Sequence, residues 1–116
     1  MEWDVLVHPA VEEWIQGLDE PSQTQLVAAT RLLRAEGPAL GRPLVDSIKW
    51  SSFHNMKELR PGSRGRTEPR VLFVFDTHRK AILLVGGDKH NKWSEWYKKA
   101  IPLAEERYHD YQKGYR

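Results

Sequence analysis

The chain has 116 residues, of which 29% are charged, with 18 lysines and arginines against 16 aspartates and glutamates and no cysteine. This length predicts one domain, residues 1–116, with a core of its own, and the lack of cysteine excludes disulfides, thiol nucleophiles and thiolate metal sites. Neither a signal peptide nor a membrane-spanning apolar run is found in the sequence, so we expect a cytoplasmic protein without a membrane partner.

The charge is distributed unevenly along the chain. Residues 1–36 hold two basic side chains against seven acidic ones, whereas residues 37–116 hold sixteen against nine. The formal net charge of +2 therefore divides into −5 and +7. A basic region of this kind attracts polyanions such as nucleic acid, although a solvated surface of uneven charge is the plainer interpretation.

The first third of the chain predicts a strand followed by two helices. Residues 2–7 alternate and then become apolar, which is typical of a short strand. Pro9 suits the first position of a helix, and a second helix has its start signal at residues 19–21 and is stopped by Gly37 and Pro38. Two consecutive helices joined by a tight turn form a helical hairpin.

The rest of the chain predicts four strands and a helix. Strands are expected at residues 44–50, 53–60, 70–76 and 81–87, with a loop at 61–69. The last two strands are continuous apolar runs, typical of central strands covered on both faces. Residues 92–111 have helical apolar spacing, with Pro102 expected to kink or restart the helix. The order βααββββα predicts an α+β domain, with an antiparallel-rich sheet, an amino-terminal helical hairpin and a carboxy-terminal helix.

Positive charge is concentrated around the third predicted strand and its loop. Between residues 57 and 70 only two acidic residues oppose five cations, namely Lys57, Arg60, Arg64, Arg66 and Arg70. Alternation along the strand places Glu58 and Arg60 on one face and Leu59 in the core on the other. A hairpin would bring Arg70 near Arg60. Further basic and aromatic residues follow the last strand, namely Lys89, Lys92, Trp93, Trp96 and Tyr97.

Cations that hold phosphates and aromatic rings that stack on bases are what single-stranded RNA recognition requires. Plainer interpretations stay open for each residue. Arg60 and Arg70 can form structural ion pairs with Glu58 and Asp76, the loop arginines can be solvated, and the aromatic residues of the last helix can pack in the core. The five histidines never pair at i,i+4, so neither a metal site nor another cofactor is predicted.

Three segments, together with the order of elements, resemble one protein family. MKELRPGSRGRTEPRVLFVFD, AILLVGGDK and WYKKAIPLAEERYHDY are similar to segments of RelE/ParE-superfamily toxins, in their HigB-like, phage-related branch. The resemblance covers nearly the whole chain. It implies the toxin of a type II toxin–antitoxin pair, which enters the ribosomal A site and cleaves mRNA without a metal. It also implies a cognate antitoxin, expected to be of helix-turn-helix type.

The resemblance also implies roles for individual residues. Arg60, Arg70 and Lys89 match the basic positions of the site, Tyr97 matches a carboxy-terminal aromatic residue, and Glu58 is a base or an orienting partner for Arg60. RNA-binding roles are predicted for Lys57, Arg64, Arg66, Lys92 and Trp93. This chain has GGDKHNKW after the last strand, where branch members carry a lysine-rich stretch.

Two other functions are compatible with the same fold. ParE-like members of the superfamily share it, are not nucleases and act on DNA gyrase, and fold alone does not separate these activities. The second alternative is a small basic nucleic-acid-binding module without a toxin role. The basic set Arg60, Arg70 and Lys89 favours the nuclease.

Overall fold

The computed structural model describes residues 2–53, 55–62, 68–88 and 93–114. Its elements follow the predicted order βααββββα, which confirms the α+β fold class. They are β1 (Asp4–Val7), α1 (Pro9–Gln16), α2 (Glu20–Glu36), β2 (Val45–Ser47), β3 (Met56–Leu59), β4 (Pro69–Phe75), β5 (Lys80–Asp88) and α3 (Trp93–Gln112), with a short 3₁₀ turn at Gly37–Ala39 after α2.

The strands form one twisted sheet in the order β1-β5-β4-β3-β2. β1 runs parallel to β5, and every other neighbouring pair is antiparallel. β4 and β5 lie in the middle of the sheet, and their apolar side chains are buried on both faces. The prediction of two central, doubly covered strands is therefore confirmed.

Local capping signals fix the ends of the helical hairpin. His8 Nδ1 accepts a hydrogen bond from the backbone N–H of Ala10, so α1 begins at Pro9. Asp19 Oδ1 does the same for Ser22 and starts α2. α2 ends at Glu36 and is capped by Gly37, whose φ of +56° lies in the region that glycine adopts without steric cost.

Each face of the sheet carries its own apolar core. The helical hairpin covers one face, in a core that includes Leu26, Leu33, Leu59, Phe73 and Leu83. α3 covers the other, in a core that includes Met56, Leu72, Ile82, Ile101 and Tyr108. Since side chains alternate along a strand, Leu59 belongs to the hairpin core as predicted, and Glu58 points towards α3.

Two predicted strands are shorter than expected. The strand predicted at 44–50 covers only Val45–Ser47, and the strand predicted at 53–60 covers only Met56–Leu59. The residues between them bind α3 instead of continuing the sheet: the carboxylate of Glu105 accepts hydrogen bonds from Ser51 and Ser52. A contact more than fifty residues away in sequence thus overrides the local strand pattern.

α3 continues through Pro102, so the helix does not restart there as the sequence allowed. Proline removes one backbone donor, but residues on both sides of it bury a single apolar stripe against the sheet, namely Tyr97, Ala100, Ile101, Ala104 and Tyr108. In the part of the chain that the structure describes, no helix is long and apolar enough to cross a bilayer.

Candidate functional site

A buried carboxylate lies at the centre of the predicted site. Glu58 is 1% exposed and faces α3. Its Oε1 accepts a hydrogen bond from Arg60 Nε at 2.8 Å, and its Oε2 accepts one from the Tyr97 hydroxyl. Arg70 Nε lies 3.9 Å from Oε1. We call these four residues, Glu58, Arg60, Arg70 and Tyr97, the carboxylate cluster.

Strand pairing brings the two arginines together. β3 and β4 are antiparallel with Leu59 opposite Val71, so Arg60 and Arg70 follow at the next position of the hairpin. Arg70 in turn lies opposite Gly87 of β5. This explains why the two cations, ten residues apart in the chain, both contact Glu58.

The first turns of α3 complete the cluster with Tyr97, and Gly87 allows this approach. A Cβ added to Gly87 would overlap the indole of Trp96, which packs edge-to-face on Tyr97 with ring centroids 5.0 Å apart. A side chain at position 87 would therefore push α3 away from the sheet. The glycine permits the contact between the Tyr97 hydroxyl and Glu58.

Arg60 is the member of the cluster that is accessible to a ligand. Its side chain is 36% exposed, against 11% for that of Arg70. A second carboxylate, Asp46 on β2, lies 3.2 Å from Arg60 Nη2 and also pairs with Arg42. The hydrogen bond to Glu58 raises the pKa of Arg60 further above its ordinary value, so the guanidinium remains cationic. Two carboxylates therefore hold one cation at the protein surface.

Arg70 is a buried cation with few partners. Its Nη1 donates to the carbonyl of Pro69 at 2.9 Å, while its Nε has no hydrogen-bond partner among the described residues. The negative charge that balances it is that of Glu58. Since a buried charge without a counter-charge is strongly destabilising, Glu58 and Arg70 depend on each other.

Tyr97 acts as a hydrogen-bond donor. Burial raises the pKa of its hydroxyl, and the bond to Glu58 raises it further. The phenol therefore stays neutral and keeps its proton on the bond to the carboxylate at all ordinary pH values. In this arrangement Tyr97 positions Glu58 more readily than it releases a proton to a substrate.

A cavity of about 380 Å³ opens beside the cluster. Glu58, Arg60 and Tyr97 form its inner wall, and the connection from β2 to β3 forms its rim with Lys49 and Trp50. Three cations and two carboxylates line the cavity together with apolar surface, and the excess of positive charge suits an anionic group next to Arg60. Within the described residues, no group of three or more potential metal ligands is found.

Residues 13–109 match the family described as "Phage derived protein Gp49-like (DUF891)". The chain belongs to this family. The Gp49-like chain is 48% identical over 103 residues to a Mycobacterium tuberculosis (strain ATCC 25618 / H37Rv) protein named as the toxin HigB3, covering 89% of this chain and 88% of that protein. It is 49% identical over 96 residues to HigB2 of the same organism, likewise named as a toxin, covering 83% of this chain. It spans about half, 48%, of the length of HigB2.

Two solved structures share the fold of the Gp49-like chain. Escherichia coli toxin RelE, solved in the free state as a mutant with two arginines changed to alanine, superposes with a TM-score of 0.64 at 14% identity, covering 88% of this chain and 97% of RelE. A chain of the RelE–RelB complex of Pyrococcus horikoshii OT3 superposes with a TM-score of 0.57 at 17% identity, covering 78% of this chain and 99% of that one. The resemblance to HigB toxins is confirmed by the relatives, and the two solved structures show that the fold is that of RelE.

The structure of the Gp49-like chain brings together four of the ten predicted site residues, the members of the carboxylate cluster. Lys57 is placed elsewhere: it shares the sheet face of Leu59 and its Nζ lies 3.5 Å from Ser47 Oγ. It therefore lies on the opposite face of β3 from Glu58 and Arg60, because adjacent residues of a strand point to opposite faces. Trp93 begins α3. Four predicted cations lie outside the described residues, namely Arg64, Arg66, Lys89 and Lys92.

The alternative of structural ion pairs is correct for Arg60 but names the wrong partner for Arg70. Arg60 does bind Glu58. Asp76, in contrast, accepts hydrogen bonds from the backbone N–H groups of His78 and Lys80 in the β4–β5 turn and from the Tyr111 hydroxyl. The Asp76 carboxylate therefore stabilises the β4–β5 turn, which lies at the opposite end of β4 from Arg70.

Sequence reasoning missed two residues of the site, Asp46 and Trp50. Asp46 pairs with Glu58 across β2 and β3, so the same alternation that places Glu58 would have placed Asp46 beside it once the register was known. Trp50 carried no such signal, because it was assigned to the end of a strand that stops three residues earlier.

Proposed function

We propose that this protein is the toxin of a type II toxin–antitoxin pair and that it cleaves mRNA on the ribosome. The observation that carries the proposal is the carboxylate cluster, in which a buried carboxylate fixes a partly exposed arginine at the rim of a cavity. The names of the HigB relatives support the toxin role. The cluster supports a chemistry in which negative charge develops on a phosphate.

RNA can be cut through its own ribose. The 2′-oxygen attacks the adjacent phosphorus, the bond from phosphorus to the 5′-oxygen breaks, and a 2′,3′-cyclic phosphate and a 5′-hydroxyl end result. The 2′-hydroxyl loses a proton to a base, the leaving 5′-oxygen gains one from an acid, and the phosphoryl oxygens gain negative charge in between. A fixed guanidinium stabilises that charge more than a mobile one does, because it needs no reorganisation during the reaction.

In this mechanism Arg60 contacts the phosphate and Glu58 positions Arg60. Glu58 is 1% exposed and its two oxygens already accept hydrogen bonds from Arg60 and Tyr97. A carboxylate with those contacts does not reach a ribose hydroxyl, so the geometry favours the orienting role over that of the base. Arg70 adds a second positive charge behind Arg60. The role predicted for Lys89 remains a prediction.

The partners follow from the same proposal. The substrate is mRNA in the ribosomal A site, and the location is the cytoplasm, where ribosomes translate. A cognate antitoxin of helix-turn-helix type neutralises the toxin, and the Pyrococcus horikoshii neighbour, which was solved as a RelE–RelB complex, supports a protein partner of this kind.

The test is induced expression with mapping of mRNA 5′ ends, comparing the wild type with Arg60→Ala and Lys57→Ala. The two variants each remove one cation near the end of β3, but from opposite faces. We expect growth arrest and new ends inside translated frames for the wild type, and a cleavage rate lower by about 10²–10³ for Arg60→Ala, the usual effect of losing one preorganised contact. Lys57→Ala should stay within a few-fold of the wild type.

Three outcomes would contradict parts of the proposal. Arrest with intact mRNA and DNA damage would indicate the gyrase-directed alternative. No arrest and no cleavage would contradict the toxin role. Equal losses for Lys57→Ala and Arg60→Ala would show that the reacting phosphate does not lie on the face of the sheet covered by α3.

A further inference from the structure

Trp50 is the most exposed large apolar side chain among the described residues. It is 72% exposed, whereas Leu6, Val27 and Leu32 are 38–47% exposed. A single exposed apolar residue is ordinary on a protein surface. The position of Trp50 next to the carboxylate cluster distinguishes it from the others.

Trp50 stands between two cavities. On one side it lines the cavity of about 380 Å³ that contains Arg60 and Tyr97. On the other it lines a cavity of about 440 Å³ along α3, which includes Lys98 and Pro102. Trp50 and Tyr97 are the two residues that line both cavities, so the indole lies next to the candidate phosphate position and also next to an apolar groove.

The segment that carries Trp50 is held in place by α3. Glu105 Oε2 accepts hydrogen bonds from Ser51 Oγ at 2.8 Å, from Ser52 N at 2.6 Å and from Ser52 Oγ at 3.0 Å. Phe53 packs edge-to-face on Tyr108 with ring centroids 5.2 Å apart. Burial alone would raise the pKa of Glu105, but the hydrogen bonds from Ser52 and Ser51 together outweigh it and lower the pKa, so the carboxylate remains charged. The indole is thus presented on a preorganised support.

The charges around the indole suit an anionic chain. Lys49 lines the first cavity and Lys98 the second, both are exposed, and neither forms an ion pair with a described residue. The nearby carboxylates are already occupied: Asp46 by arginines and Glu105 by serines. An aromatic face flanked by uncompensated lysines is the arrangement that binds single-stranded nucleic acid, with bases on the ring and phosphates on the cations.

We propose that Trp50 stacks on a base of the bound mRNA beside the scissile phosphate, while Lys49 and Lys98 contact the phosphates on either side. This inference rests on the proposed function, since it places the base next to the phosphate held by Arg60. By this contact Trp50 positions the RNA and biases which base is preferred. Stacking tolerates every base but not equally, so a base preference follows from the strength of stacking.

The first experiment measures binding of the toxin to a single-stranded RNA oligonucleotide and to ribosomes programmed with mRNA. Both RNAs carry 2′-O-methyl groups, which prevent cleavage. Trp50→Ala should weaken binding about 5- to 150-fold, the range that corresponds to loss of one stacked base. Trp50→Phe should restore most of the affinity. Leu32→Ala removes another exposed apolar side chain, on α2 in the helical hairpin that covers the opposite face, and should change nothing.

A second experiment distinguishes stacking from a general effect of the indole. A series of mRNAs, each lacking one base of the A-site codon, is tested with the wild type and with Trp50→Ala. At one position the abasic mRNA should bind both proteins equally, because the stacking partner is already gone. If Trp50→Ala weakened binding by the same factor at every abasic position as on intact mRNA, the stacking role would be overturned. Lys98→Ala should weaken binding and make it less dependent on salt.

The outcomes separate this inference from the proposed function. A wild type that binds RNA through Trp50 but does not cleave it would contradict the nuclease and leave the stacking site intact. A wild type that cleaves, with unchanged binding and cleavage-site preference in Trp50→Ala, would overturn the stacking site alone. Loss of antitoxin binding in Trp50→Ala with RNA binding intact would reassign the indole to the antitoxin interface and overturn the inference. A wild type that binds no RNA would overturn both.

Discussion

Replacing Glu58 with glutamine tests whether one buried charge organises the site. Glutamine has nearly the same size and keeps an oxygen that can accept the hydrogen bond from Arg60 Nε, so the substitution removes the charge without leaving a cavity. Arg60 retains Asp46 as a counter-ion. Arg70 does not have this alternative, because Glu58 supplies its carboxylate contact among the described residues. Removal of the negative charge should therefore destabilise mainly the buried guanidinium of Arg70.

The size of the effect follows from burial and distance. Removing one partner of a buried ion pair costs about 3–5 kcal/mol. Arg70 lies 3.9 Å from Glu58, beyond hydrogen-bond distance, and keeps its bond to the Pro69 carbonyl, so we expect a loss of about 2–3 kcal/mol, at or below the lower end of that range. For a chain of this size that corresponds to a fall in Tm of roughly 6–15 °C. Cleavage should fall by about 10², because Arg70, the second positive charge behind Arg60, loses its counter-charge and with it its fixed position.

Thermal unfolding and single-turnover cleavage on programmed ribosomes measure the two effects. Asp46→Asn is the matched control, because it removes the other carboxylate of Arg60 at a more exposed position, 20% against 1%. That variant should lose no more than about 1 kcal/mol. An unchanged Tm and rate for Glu58→Gln would refute the reasoning. So would a larger loss of stability for Asp46→Asn than for Glu58→Gln.

Two further predictions concern the contact between α3 and the sheet. Because the pKa of Tyr97 is raised from its ordinary value of 10.0, the unfolded chain ionises first as the pH rises, and this contribution to stability is lost above about pH 10. Urea unfolding between pH 8 and 11 should show a shallower decline for Tyr97→Phe, and parallel curves would contradict the assignment. Gly87→Ala should destabilise the fold by about 1–3 kcal/mol and reduce cleavage, because the new methyl group overlaps Trp96. Gly41→Ala meets no atom within 4 Å and serves as control, and equal Tm values for the two variants would count against this close packing.

The centre of the site was predictable from strand alternation. One apolar residue, Leu59, between Glu58 and Arg60 fixes which side chains enter the core and which face the other way, whatever the details of the fold. The hairpin between two strong strand signals then brings Arg70 to Arg60. The first inference uses the two-residue period of a strand, and the second uses two strand signals joined by one loop. Both signals are local in the sequence.

The burial of the cluster was not predictable in this way. Whether Arg70 is exposed or covered depends on how closely α3 approaches the sheet, and that is set by Gly87 and Trp96 from two other elements. Trp50 was hidden for a related reason. Its segment has the composition of a strand. The two serines that follow it, however, donate hydrogen bonds to Glu105, which lies in a helix that begins more than forty residues later. Contacts between distant segments leave no periodic trace in the sequence.

The carboxylate cluster and the support of Trp50 depend on the same helix. Tyr97 binds Glu58 and Glu105 binds Ser51 and Ser52, and the two residues are separated by eight positions of α3, or roughly 12 Å along its axis. A buried charge adds little net stability, but it fixes the groups around it. Any displacement of α3 would therefore release Arg60 and the indole together. Under the proposed function, variants that shift this helix should lose cleavage rate and base preference in parallel, whereas Trp50→Ala alters the preference while leaving Arg60 in place.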